Sequence, residues 1–324
     1  MKKLFNIKDK ELSYEIKYFL DNPKFKYDFD HQNDNNSNIH YINENFIDIL
    51  LLSFRNKLIL NLTIKPLKEI QNEITFAKRS KLISWLTEIN LKYIKDQNIL
   101  FMAINLLDRI LYKKNINIQD FQLIGILCFN LVLKMENIKS LTIEEEISLI
   151  GRGDENLREK KLLRKKIKNT ENIILDLINF ELRNSTSILI LIRLIQIMNI
   201  QNIEIEKIFF YISNFLLEIS LYDERFYELN DFEKALSSLI IAKEILNKYN
   251  YKIGLHNFLI NCCKLKPKKI KYYLNLCLST INHLKQYKYG TIFFIKYQED
   301  DFLNVYNIYL NDFINNKENL FSNF

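Results

Sequence analysis

Residues 124–138 read IGILCFNLVLKMENI. Extended back to Ile118, the stretch is apolar on nearly every side, through Phe121, Leu123, Ile124, Ile126, Leu127, Phe129, Leu131 and Val132. A helix that is apolar all round must be surrounded, so the span from about Ile118 to Glu136 reads as the central element of a helical bundle. The run closes on a lone Lys134. A lysine there costs free energy unless its ammonium is paired or reaches water. One reading lets the stem of Lys134 snorkel to solvent. The other brings Lys134 out at an exposed surface, fixed by a carboxylate and offering donors to a partner's backbone. Glu171, in TENIILDLINFEL, begins the helix placed to flank that end.

Working outward, helical spacing continues on both sides. RSKLISWLTEINLKYI (79–94) puts Leu82, Ile83, Trp85, Leu86, Ile89 and Tyr93 on one broad face. NILFMAINLLDRILYKK (98–114) does the same with Leu100, Ala103, Ile104, Leu107 and Ile110. After the central helix come a short helix at 142–150, a polar basic loop, and a fifth helix at 170–182. A second five-helix run follows near 184–198, 203–221, 231–248, 251–263 and 267–286. Its third member, FEKALSSLIIAKEIL, carries small Ala235, Ser237, Ser238 and Ala242, which permit close packing. Two units of similar size in tandem suggest a duplicated fold. With 5 Gly and 3 Pro in 324 residues there is little turn chemistry for sheets, and the fold class is all-α. The expected organisation is a flexible polar tail at 1–42, with DHQNDNNSN at 30–38, then an N-terminal helix (44–57) and linker through 78. The two bundles occupy 79–183 and 184–289, and 290–324 is a second tail with one helix at DFLNVYNIYL.

Composition narrows the function classes. Cys128, Cys262, Cys263 and Cys277 form no CxxC and no Cys/His ligand spacing, so neither a metal site nor a disulfide framework is expected. His31, His40, His256 and His283 lack a nucleophile at motif spacing, and no GxSxG, HExxH or glycine-rich phosphate loop exists. Catalysis and cofactors therefore have no positive support. The start, MKKLFNIKDKELS, lacks an apolar core and is not a signal peptide. Runs such as IDILLLSF and STSILILI fall short of a membrane span, so a soluble, intracellular, reduced protein is expected. The net charge of +7 is mostly scattered lysine; Asn and Lys are over-used throughout, in the manner of an AT-rich genome. One cluster stands out, REKKLLRKKIKN from Arg158 to Asn169, read either as a polyanion-binding patch or as the solvated side of a helix start.

Across 44–295 these segments, in order, resemble the cyclin family, of the A/B mitotic kind with two cyclin boxes. RSKLISWLTEINLKY resembles its opening box helix, and NILFMAINLLDRIL its second, ending in an Asp-Arg pair. FQLIGILCFNLVLKMENI resembles its third helix, and TENIILDLINFELRNST its fifth. In the second box, FYISNFLLEISLYDERF, FEKALSSLIIAKEIL and HLKQYKYGTIFF resemble the corresponding stretches. The resemblance implies two tandem five-helix cyclin boxes. It implies a regulatory, non-enzymatic subunit in a heterodimer with a cyclin-dependent kinase, acting on the kinase's protein substrates in the nucleus and/or cytoplasm. Neither a membrane nor a nucleic acid is an expected partner.

Residue by residue, Arg79 and Asp108 match a buried ion pair that holds the first two box helices together. Lys134 and Glu171 match the pair that bonds to the kinase beside its mobile C-helix. Leu131, Leu175 and Leu182 match the apolar pocket for an isoleucine of that helix, with Phe180 nearby and Met135 and Glu136 beside the lysine. Leu82, Trp85, Glu88 and Gln122 keep parts of a substrate-docking patch, whereas Lys78 and Lys81 replace apolar members of it. Ser84 stands where the family carries an Asp, and Met135 and Asn137 replace an aromatic and a second Glu. Lys317-Glu318-Asn319 spells a KEN degradation triplet, which arises cheaply by chance in so Lys- and Asn-rich a chain. The alternatives are a transcription-type cyclin and a DNA-binding factor like general transcription factor IIB (TFIIB). The latter normally begins with a zinc ribbon and lacks the Lys…Glu pair.

Overall fold

The computed structural model describes residues 67–315 apart from 152–155, 184, 199, 252, 254–266 and 288–289, and contains no strand among them. The expected tail at 1–42, the helix at 44–57, nearly all of the helix at 251–263 and the Lys317-Glu318-Asn319 triplet lie outside the described residues.

The first bundle comprises α1 (Leu67–Ile70), α2 (Phe76–Tyr93), α3 (Gln97–Lys113), α4 (Ile118–Met135), α5 (Ile143–Ile150) and α6 (Leu157–Leu177). Every residue from Leu123 to Leu133 of α4 is buried, and α4 packs against α2, α3, α5 and α6. By length and composition α4 could cross a membrane, contrary to the expectation that no run suffices, but most of it is enclosed by its neighbours. Gly125 lets Leu82 of α2 pack closely over α4. A Cβ there would stand 2.9 Å from Leu82 Cδ2.

The second bundle contains α7 (Ser187–Met198), α8 (Ile203–Ile219), two 3₁₀ turns at Ser220–Tyr222 and Glu224–Glu228, α9 (Asp231–Asn247) and α10 (Pro267–Lys285). Here α9 is central, against α7, α8 and α10, with Ala235, Ser237, Ser238 and Ala242 all buried. Asparagine sets many of the boundaries. Asn117, Asn156, Asn202 and Asn230 accept backbone N–H bonds at helix starts. Asn137, Asn179 and Asn250 take the left-handed conformation after helix ends, with φ of 53°, 52° and 63°.

Two segments differ from the sequence-based expectation. The basic stretch after α5 is not a loop: α6 starts at Leu157, behind a capping box between Asn156 and Glu159, and runs unbroken to Leu177. Leu163 is half-buried and Ile167 is buried, which anchors this charged half to the bundle. Residues 290–315 are not a tail. They form α11 (Thr291–Lys296), a 3₁₀ turn at Asp300–Phe302, a π-helical turn at Tyr306–Leu310 and α12 (Asn311–Asn315). This closing segment buries Phe293, Phe294, Tyr297, Phe302, Val305, Tyr306, Tyr309, Leu310, Phe313 and Ile314. At about 25 cal/mol per Å² of apolar surface, so many large side chains offset much of the entropy of ordering the segment.

Two buried charges join the bundles. Arg79 of α2 is 1% exposed. Its Nε and Nη2 donate to the Asp108 carboxylate of α3 at 2.7 and 2.6 Å, and Nη1 donates to the Leu221 carbonyl of the second bundle at 2.6 Å. Tyr227, also from the second bundle, donates to Asp108 Oδ2 at 2.6 Å, and its ring and that of Phe76 lie beside the guanidinium. Burial alone would lower the Arg79 pKa; the Asp108 carboxylate outweighs it and holds the group above its ordinary value. The second charge is Lys296 of α11, wholly buried with Glu218 of α8. Its Nζ also donates to Gln97 Oε1 at the start of α3, at 2.6 Å, and Tyr297 donates to the same Glu218 oxygen at 2.6 Å.

Removing one member of such a pair strands the other charge in the interior. Arg79→Met is expected to lower the unfolding free energy by about 3–5 kcal/mol in urea titrations followed by circular dichroism. A loss below about 1 kcal/mol would contradict the assigned role.

Candidate functional site

Helices α4 and α6 end at one edge of the first bundle, and both ends are closed the same way. At α4, Ile138 N–H donates to the Leu133 carbonyl (3.0 Å) and Asn137 N–H to that of Lys134 (3.3 Å). At α6, Phe180 N–H donates to Leu175 (2.9 Å) and Asn179 N–H to Asp176 (3.1 Å). These paired bonds satisfy the last carbonyls and fix the exit of each chain. Phe180 follows Asn179 into the left-handed region, at φ 58°, which is uncommon for a bulky side chain. The turn leaves its ring 67% exposed.

Near these ends, Lys134 Nζ, in the last turn of α4, donates to the carboxylate of Glu171, six residues before the end of α6, with the side chains 43% and 22% exposed. An exposed pair of this kind contributes about 0.2–1 kcal/mol. Stability alone therefore does not account for it, in contrast to the buried Arg79–Asp108 pair. The ammonium keeps two further donors and the carboxylate further acceptor positions.

The buried Arg109 and the exposed Lys113 hold this edge from behind. Arg109, next to Asp108 on α3, donates from Nη1 to the Glu181 carbonyl at 2.6 Å, and Lys113 Nζ donates to the Leu177 carbonyl at 2.8 Å. Burial lowers the Arg109 pKa, opposed by Glu181. Beneath Lys134, Asn130 is 1% exposed. Its Nδ2 donates to Glu146 Oε1 at 2.6 Å and to the Leu141 carbonyl at 3.0 Å, and its Oδ1 accepts from Leu141 N–H at 2.8 Å. Burial raises the Glu146 carboxyl, opposed by the Asn130 bond and by Lys134. Burial also raises Glu136, opposed by Arg183.

Around the ion pair, Leu175, Leu182, Met135 and Glu136 are half-buried, so the edge presents partly exposed apolar side chains beside a charged pair. Leu131 is 4% exposed and lies under the surface rather than in it. In the second candidate patch, Glu88 and Gln122 are exposed and Trp85 is half-buried, whereas Leu82 is buried over Gly125. Gln122 Nε2 donates to the Leu149 carbonyl at 3.4 Å. Sequence reasoning missed Arg109, Lys113, Asn130 and Glu146. The available signal was Asn130, a lone amide inside an apolar helix. Among the described residues no His, Cys, Asp and Glu cluster could hold a metal. The Cys128 and Cys277 thiols are buried, and burial pushes both up.

Residues 53–183 match the cyclin N-terminal domain. Over 185 residues, 57% of this chain, the sequence is 23% identical to cyclin-A2-3 of Arabidopsis thaliana. It is 28% identical over 160 residues (48% of the chain) to the G2/mitotic-specific cyclin C13-1 of Daucus carota. It is 25% identical over 218 residues (67% of the chain) to cyclin-B2-2 of Oryza sativa subsp. indica. The matched regions span 39%, 43% and 47% of those relatives, less than half of each. The crystal structure of a viral cyclin from herpesvirus saimiri superposes with a TM-score of 0.56, at 17% identity, over 74% of this chain and 96% of that one, and shares the fold.

Two substitutions separate the support from the surface. Asn130→Ala orphans Glu146 and the Leu141 backbone and is expected to cost about 1–3 kcal/mol by thermal and urea unfolding. Lys134→Ala is expected to cost under about 1 kcal/mol. Equal losses would mean that Lys134 is structural.

Proposed function

On the premise that the chain is a member of the cyclin family, we propose that it is the regulatory subunit of a serine/threonine protein kinase. It binds a cyclin-dependent kinase as a heterodimer and holds that kinase's C-helix in the active position. The observation that carries this reading is the exposed Lys134–Glu171 pair beside the half-buried Leu175 and Leu182 and the projecting Phe180. A partner backbone can take the free donors of Lys134 and the free acceptors of Glu171. An aliphatic side chain of the partner can pack against Leu175 and Leu182, over the buried Leu131, with Met135 and Glu136 beside it.

The mechanism is a shift of populations. A protein kinase transfers phosphate only when a Lys–Glu ion pair involving the C-helix is in place. A surface that binds only the helix-in arrangement moves the equilibrium by its differential affinity for the two states. The regulatory chain performs no chemistry itself. Its backbone-fixed helix ends limit the ordering cost of association. The same reading gives it a part in cell-cycle progression, with protein substrates, in the nucleus and/or cytoplasm.

The test is reconstitution. The purified chain is expected to co-elute with a cyclin-dependent kinase and to stimulate phosphorylation of a histone substrate. The double variant Lys134→Ala, Glu171→Ala should weaken assembly at least tenfold with its melting temperature nearly unchanged. Full activation by that variant would remove these residues from the interface.

A further inference from the structure

The first half of α6 carries charge that the bundle does not use. Its inward face is Leu163 and Ile167, and the opposite face carries Arg158, Lys161, Lys165 and Lys168, all exposed. The spacing of three, four and three residues keeps them on one side of the helix over about 15 Å. None of the four makes an ion pair or hydrogen bond through its side chain among the described residues. On the flanks, Arg164 pairs with Glu144 at 2.8 Å and Lys166 with Asp120 at 2.5 Å, while Lys160, also exposed, makes no side-chain ion pair among the described residues. Glu159 stands on the same side as Lys166. Leu162, 60% exposed, lies at the margin of the cationic strip.

We propose that this strip is a docking surface for an acidic helix of a protein partner. Charge complementarity selects an anion, and three geometric facts select its form. First, the strip is one helix wide, and beyond it Arg164 and Lys166 are already paired with Glu144 and Asp120. A polyanionic duplex broad enough to reach past the strip would meet these closed pairs, whereas a single helix need not. Second, no aromatic side chain occurs between Leu157 and Leu177 on which a base could stack. Third, the apolar face of α6 is spent on the bundle, and Leu157 and Leu162 emerge on opposite flanks, so no continuous apolar face is left to enter a membrane. A helix bearing Glu or Asp at the same three-four-three spacing sets a carboxylate opposite each cation, and an apolar residue on it meets Leu162. This inference does not depend on the kinase reading, because the strip lies on the opposite side of α6 from its buried face, upstream of Glu171.

The test uses the full chain alone and a fluorescent helical peptide with Glu at that spacing, followed by anisotropy. Binding is expected, weakening as salt rises from about 50 to about 200 mM as screening lengthens the odds against exposed pairs. Lys161→Glu with Lys165→Glu should weaken it at least tenfold. The control Lys139→Glu with Lys248→Glu, equal in charge but elsewhere on the surface, should leave it unchanged. The proposal is overturned if both reversals act alike. It is also overturned if the strip reversal has no effect, or if a random-sequence DNA duplex or phosphatidylserine vesicles bind the strip more tightly than the peptide.

Discussion

A guanidinium with almost no access to water is the constraint on which the architecture depends. Arg79 must be fully paired, because an uncompensated charge in the interior costs several kcal/mol. Its partners come from three places: the Asp108 carboxylate on α3, the Leu221 carbonyl after α8, and Tyr227, which acts through Asp108. The pairing is satisfied only when α2, α3 and the second bundle stand in one arrangement. Ser80 and Thr87, further along the same face of α2, add hydrogen bonds to Tyr222 of the second bundle. Lys296 repeats the principle elsewhere, joining α11, α8 and the start of α3 through Glu218 and Gln97. Burial lowers the Lys296 pKa, opposed by Glu218. Buried ion pairs add little net stability compared with apolar packing, and what they enforce is geometry.

That geometry reaches the surface through α3. Asp108 faces the joint between the bundles, and the next residue, Arg109, holds the turn after α6 by its Glu181 carbonyl. Lys113, one turn on, holds the Leu177 carbonyl of the same segment. The exposed edge formed by Lys134, Glu171 and Phe180 is thus fastened to the element that locks the bundles together. The basic half of α6 extends beyond that fastening, which is why one helix can carry part of the Lys134–Glu171 edge and a cationic strip without the two interfering.

Much of this was legible in the residues. Helical spacing placed α2, α3, α4 and α9 close to their observed limits, because their apolar faces are broad. The ends of α6 were not, since charges at most positions from Arg158 to Lys168 hid the two inward residues Leu163 and Ile167. The capping box of Asn156 and Glu159 was the signal that marked its start. Attributing the many asparagines to genome composition concealed their work as helix caps and left-handed turn residues, which is how so few glycines suffice. The segment 291–315 was read as a tail although Phe293, Phe294, Tyr297, Phe302, Tyr306 and Tyr309 are an unusual load for a solvated chain. Pairings such as Lys296 with Glu218, 78 residues apart, follow no local period and are decided only by the packed tertiary structure. The proximity of Lys134 and Glu171 came from resemblance, not from spacing. Asn130, which supports that edge, was visible as an anomaly without an obvious partner.

The central claim is that the two bundles behave as one cooperative body presenting a preset edge. Differential scanning calorimetry of the full chain tests it most directly. A single transition with equal calorimetric and van't Hoff enthalpies is predicted. Two resolved transitions, one for each bundle, would contradict it.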